Sequence, residues 1–156
     1  MAEIDPKALE LEAEASSLRS SERWEEAAFY YEKMLNLDLA IGDKAKTLAN
    51  LMQMYERQQQ YERAIYAAVV AYKIIQRHGL YRTNEGAHMR GAIRGFLMRI
   101  RENNLQEIGD PRSIALVLHV TNPLVSFVHT VFGTARNALV WLVVLALIVA
   151  AYMFFR

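Results

Sequence analysis

The sequence predicts an all-α protein: two antiparallel helix pairs, a capping helix, an amphipathic helix and one C-terminal transmembrane helix. Three observations carry that prediction. Apolar residues recur at spacings of three and four through most of the first hundred positions, the period of one helical face. A pattern that begins near Trp24 returns 37 residues later, near Tyr61. The last stretch, residues 137–155, is apolar with no charge inside it.

Pro6 marks the start of a first helix expected to run to about Ser20. Residues 21–37 place Trp24, Ala27, Ala28, Tyr31, Met34 and Leu35 on one face, with Ser21 as the expected N-cap and Glu25 and Glu26 near the helix start. Residues 44–57 do the same with Leu48, Leu51, Met52 and Tyr55. Residues 61–75 continue it with Tyr61, Ala64, Ile65, Ala68, Val69, Tyr72 and Ile75. Gly42 and Gly79 are expected to punctuate helix ends. Over residues 84–103, Met89, Ile93, Phe96, Leu97 and Ile100 form an apolar stripe suited to capping the preceding helices. Arg90, Arg94 and Arg101 project on an adjacent face, and Arg99 points elsewhere.

Residues 112–134 are too apolar for a plain linker. Wound as a helix, they gather His119, Asn122, Ser126, His129 and Thr130 on one side and Leu116, Val117, Val120, Leu124, Phe127, Val128 and Val131 on the other. Pro123 predicts a kink. Such a helix lies in a membrane interface, packs on protein, or forms a hairpin with the final span. Residues 137–155 would extend ~28 Å as a helix, close to the thickness of a hydrocarbon core. Arg136 and Arg156 bracket the run. Trp141 and Tyr152 stand near its ends, where amphipathic rings favour the headgroup level, while Leu145, Ile148 and Phe155 belong to its apolar body. The organisation expected is therefore helix pairs over residues 1–80, a capping helix with an Arg-rich face over 81–110, an amphipathic helix over 111–135 and a membrane span over 136–156.

The internal repeat superimposes Trp24 on Tyr61, Ala27 on Ala64, Tyr31 on Ala68 and Met34 on Ala71. It resembles the tetratricopeptide family, whose unit is a helix pair of ~34 residues. On the second helix, Trp24, Ala27 and Tyr31 match that family in the first unit, and Tyr61, Ala64 and Ala71 in the second. The first-helix positions fall on Leu48, Leu51 and Tyr55, which fit, and on Leu11, Glu14 and Leu18, which fit in part. The family's Gly is replaced by Ala15 and Met52, and its inter-repeat Pro is absent. The resemblance covers a little under half of the chain. It implies a protein-binding groove lined by first helices, with Asn50, Gln53 and Met54 as candidates here. Some members hold a C-terminal carboxylate with a Lys, Asn and Arg clamp. Asn50 matches one clamp position, but Glu12 and Ser16 stand where Lys and Asn are expected, which argues against that mode.

Charge is uneven along the chain. Residues 1–76 hold 13 acidic and 9 basic side chains, residues 77–112 hold 7 Arg against 4 acids, and beyond them only Arg136 and Arg156 are charged. The acidic front disfavours nucleic acid as a partner. The face of Arg90, Arg94 and Arg101 suits anionic lipid headgroups or an acidic protein. With no Cys, disulfides and thiol chemistry are excluded. The N-terminus is polar and acidic, unlike a secretory leader. Of the four His, only His88 stands in an ExxH step, with Glu85, and no second step exists; phosphate-cradling Gly motifs are absent as well. No enzyme, metal or cofactor is implied. The expectation is a non-enzymatic accessory or assembly subunit of a membrane complex, its N-terminal bulk on the cytoplasmic or equivalent side and its partners other proteins and the lipid bilayer. The alternatives are a free tail-anchored adaptor, inserted after synthesis, and a lipid-handling protein.

Overall fold

A computed structural model describes residues 5–122. Among these residues there are six α-helices and no strand. They are α1 (Pro6–Ser20), α2 (Trp24–Leu35), α3 (Ile41–Arg57), α4 (Tyr61–Arg77), α5 (Asn84–Arg99) and α6 (Pro111–Thr121). The chain divides into two units, Met1–Leu118 and His119–Arg156, and only the first four residues of the second are described.

Helix α1 begins as its sequence dictates. The Asp5 carboxylate accepts the backbone N–H of Lys7 at 2.9 Å, and Pro6 occupies the first turn, where a missing N–H costs nothing. Short connections then fold α1 onto α2 and α3 onto α4, and α2 packs on α3. The two intra-pair turns are copies of each other. Arg23 N–H donates to Leu18 C=O at 3.0 Å and Glu22 N–H to Arg19 C=O at 3.1 Å. Gln60 N–H donates to Tyr55 C=O at 2.9 Å and Gln59 N–H to Glu56 C=O at 3.0 Å. Both are Schellman closures, and both put a left-handed residue after the helix, Glu22 at φ 58° and Gln59 at φ 59°. Every donor and acceptor in one turn lies 37 residues from its counterpart in the other, and α2 starts 37 residues before α4.

Two local expectations are corrected. Ser21 does not cap α2; its Oγ donates back to Ser17 C=O at 3.1 Å, so it closes α1, and the helix that follows starts at Trp24 with no side-chain cap. Gly42 does not end a helix; it lies in the first turn of α3, where open surroundings place no demand on a glycine. Gly79 does act as expected. It adopts φ +67° immediately beyond α4 and leads into a single 3₁₀ turn, Leu80–Arg82.

That turn fixes the start of α5. Thr83 Oγ1 accepts the N–H of Gly86 at 3.0 Å. A β-carbon on Gly86 would stand only 2.0 Å from the carbonyl oxygen of Leu80, so glycine is the residue that lets the turn and the helix meet. α5 then lays Ile93, Phe96 and Leu97 inward, fully buried, and packs on α4 and α3. The expected helix to residue 103 is shorter: α-helical geometry stops at Arg99 and widens into a π-turn, Ile100–Asn104. Asn104 Nδ2 donates to Tyr61 Oη at 3.4 Å, tying this widened turn to the start of α4.

Among the described residues no helix is long and apolar enough to cross a membrane. The expected span, residues 136–156, and the part of the amphipathic segment beyond residue 122, including Pro123 and His129, lie outside the described residues.

The glycine and the twin turns give opposite expectations. Gly86→Ala should lower unfolding stability by about 2 kcal/mol or more, because backbone cannot yield as a flexible side chain does. Gly91→Ala, in open space on α5, should raise it by about 0.5–1 kcal/mol. Gln59→Gly should raise it by roughly 1 kcal/mol by relieving the left-handed conformation. Urea unfolding followed by circular dichroism reads all three.

Candidate functional site

Two concave surfaces arise from the stacking of the pairs. The first lies between α1 and α3 and encloses about 430 Å³. It is polar. Lys46 Nζ pairs with Glu12 Oε1 at 2.6 Å, and Arg19 donates to Asn50 Oδ1 at 3.4 Å. Tyr31, buried, lies at its base, and burial raises the pKa of its phenol. The pKa of Lys46 is also raised, first by its hydrogen bond to Glu12.

Of the groove residues expected from sequence, Asn50 lines this surface together with Glu12 and Ser16. Gln53 is exposed but is not part of its lining. Met54 is only 1% exposed and is a core residue, which removes it from any docking surface. Glu12 already neutralises Lys46, so this face is poorly set up to hold a free carboxylate, in keeping with the departure of Glu12 and Ser16 from the clamp pattern.

The second surface lies between α2, α3 and α4 and encloses about 470 Å³. Its floor is apolar: Leu35, Leu48, Leu51 and Ala67. One edge carries a three-helix polar network. Tyr55 Oη of α3 donates to Glu32 Oε1 of α2. Arg63 of α4 donates to the same oxygen at 3.0 Å and stacks its guanidinium over the Tyr55 ring at 4.5 Å. The Tyr55 pKa is pushed up to about 12, first by burial and then by the bond to the Glu32 carboxylate. The loop before α6 also borders it. Glu62 Oε1 accepts the N–H of Asp110 at 3.1 Å. Asp110 in turn caps α6, accepting from Ser113 Oγ at 2.8 Å and from the N–H groups of Ser113 and Arg112 at 2.9 and 3.1 Å. Those bonds, the Ser113 hydroxyl foremost, hold the Asp110 carboxyl below the usual range.

The sequence reading missed this second surface. Its polar members stand on three helices, and Glu32 is separated from Tyr55 by 23 residues and from Arg63 by 31. One signal was available: superimposing the repeats at 37 residues aligns Phe29 with Tyr66, an aromatic pair off the buried stripe.

The Arg-rich face is partly as expected. Arg94 is exposed on α5, and Arg90 stacks over the Tyr81 ring at 5.7 Å, with Arg82 at 5.7 Å from the same ring. Arg101 is carried by the π-turn rather than by α5, so it does not continue the helical face of the other two. Arg99 points elsewhere, to Glu56 at 2.8 Å. The anchor residues Trp141, Leu145, Ile148, Tyr152 and Phe155 lie outside the described residues. Compared with known proteins, the chain matches no family model, no curated protein and no solved structure.

The Tyr55 bond makes a pH-dependent prediction. The folded state holds this phenolic proton more tightly than the unfolded chain, whose Tyr titrates near ~10. Its stabilisation is therefore complete below the unfolded value and is lost as pH rises through the folded value of about 12. Tyr55→Phe should cost roughly 1 kcal/mol at neutral pH. The stability gap between wild type and variant should shrink between about pH 10 and pH 12, measured by urea unfolding across that range.

Proposed function

We propose that the protein is a non-enzymatic, membrane-anchored scaffold of tetratricopeptide-like helix pairs, an accessory or assembly subunit of a membrane protein complex. The observation that most supports this is the duplicated build of α1–α2 and α3–α4, with identical turn closures 37 residues apart. Helix pairs stacked in this way generate extended binding faces rather than enclosed reaction chambers. The apolar run of residues 137–155, bracketed by Arg136 and Arg156, supplies the anchor in this reading. Arg90 and Arg94 then favour an anionic headgroup layer or an acidic neighbour, each basic group contributing ~1 kcal/mol near such a surface.

A free tail-anchored adaptor is the second reading. It is favoured by the two open faces of the first unit, which leave room for soluble partners. The two separate on one experiment. The full-length protein and a form truncated after Thr134 are purified by affinity in mild detergent, and the proteins that accompany each are identified by mass spectrometry. A stoichiometric set of membrane proteins with the full-length form alone is the expected result. Soluble proteins bound equally by both forms would favour the adaptor. Purification of both forms without companions would overturn the protein-binding reading and favour lipid handling.

A further inference from the structure

We infer that the groove between α2, α3 and α4 docks a basic amphipathic helix of a partner protein, with Tyr66 as the aromatic anchor at its edge. The inference rests on the protein-binding reading above and goes further by fixing the face and the partner's chemistry. Tyr66 is 68% exposed, the most exposed of the large apolar side chains among the described residues. Core packing does not require an aromatic there. Its counterpart in the first pair, Phe29, is 53% exposed on α2, so both pairs present an aromatic at the same outward position. Aromatic side chains of this kind combine large contact area with low entropy loss and concentrate binding energy at interfaces.

The groove beside Tyr66 has the size of a side-chain-accepting cleft, about 470 Å³, over a floor of Leu35, Leu48, Leu51 and Ala67. Among the described residues no strand offers an edge, so an extended peptide has no ladder to join. An apolar trough between helices instead accepts a helix that presents side chains at i, i+3, i+4 and i+7.

Charge decides the partner's sign. Three carboxylates line the groove, Glu32, Glu62 and Asp110, against one cation, Arg63. Arg63 is committed, bonded to Glu32 and stacked on Tyr55. The lining thus carries a surplus of two negative charges. A Lys- or Arg-flanked apolar helix is attracted, whereas an acidic peptide or an anionic membrane surface is repelled.

The test pans the full-length protein in mild detergent against a display library of random peptides about 16 residues long, roughly four helical turns. Selected peptides are then measured on Tyr66→Ser, on a Glu32→Gln/Glu62→Gln double variant and on Gly91→Ala. The glutamines keep the acceptor oxygens that Tyr55, Arg63 and Asp110 use while removing the charges, and circular dichroism verifies that each variant folds. The expected peptides carry apolar residues at helical spacing flanked by Lys or Arg. They should bind at least ~10-fold more weakly to Tyr66→Ser and to the double glutamine variant, and unchanged to Gly91→Ala, which stands in open space on α5; each tenfold loss corresponds to ~1.4 kcal/mol. Acidic peptides, absence of enrichment, or equal binding to wild type and Tyr66→Ser would each overturn the inference. If the full-length protein still co-purifies with companion proteins in that event, only this face is wrong; if it does not, the protein-binding reading falls with it.

Discussion

The helix stack depends on alanine at its seams. Ala15, Ala27, Ala45, Ala64, Ala68 and Ala71 have no exposed surface at all. Two helices approach as closely as the side chains at their crossing allow, and alanine permits the short end of the usual range. The seams also explain where the repeat is asymmetric. α2 places Tyr31 and Met34 where α4 places Ala68 and Ala71, all four buried. Large residues on α2 fill the space between the pairs. Small ones on α4 let α5 dock with Ile93, Phe96 and Leu97 fully buried. One sequence pattern, varied only in side-chain volume, thus serves an internal joint in one unit and a capped end in the next.

Close apolar seams leave the polar groups at their margins to be satisfied elsewhere. Glu32, Tyr55 and Arg63 solve this together at the mouth of the second groove, each from a different helix. Arg63 is exposed and Glu32 half-buried, so water screens their ion pair and it adds little to stability. Its consequence is geometric. Holding three helices at one oxygen sets the width of the groove before any partner arrives, and a preorganised surface loses less freedom on binding. Glu62 and Asp110 repeat the logic on the same rim, where a side chain of α4 holds the backbone that starts α6.

The periodicity of the sequence was sufficient for the helices and most of the core, because a 3.6-residue stripe has one physical interpretation when it recurs with small residues at crossings. The turns were less legible. Both intra-pair turns use a left-handed residue, yet neither carries the glycine that would announce it; Glu22 and Gln59 accept the strain because the closing bonds over-determine them. Ser21 fits the pattern of a helix start yet closes a helix, since a hydroxyl bonds as readily to a carbonyl behind it as to an amide ahead. At the candidate site, Asn50 was legible from the repeat, whereas Met54 was not: a wheel drawn for one helix pair does not show what the other elements cover. The acidic groove lay beyond any local pattern, because its charges meet only after three helices have packed.

Charge is divided between two faces of the first unit, basic on α5 and acidic in the groove. In the proposed anchored setting, the anionic surface of a membrane acts within roughly 10 Å and then fades into the salt. It draws the face of Arg90 and Arg94 on α5 and repels the carboxylates of the α2–α4 groove. The same field thus favours lipid at the basic face and disfavours it in the acidic groove. The groove thereby selects a partner that carries basic charge beside an apolar helical face, because packing gathers Glu32, Glu62 and Asp110 around one apolar floor.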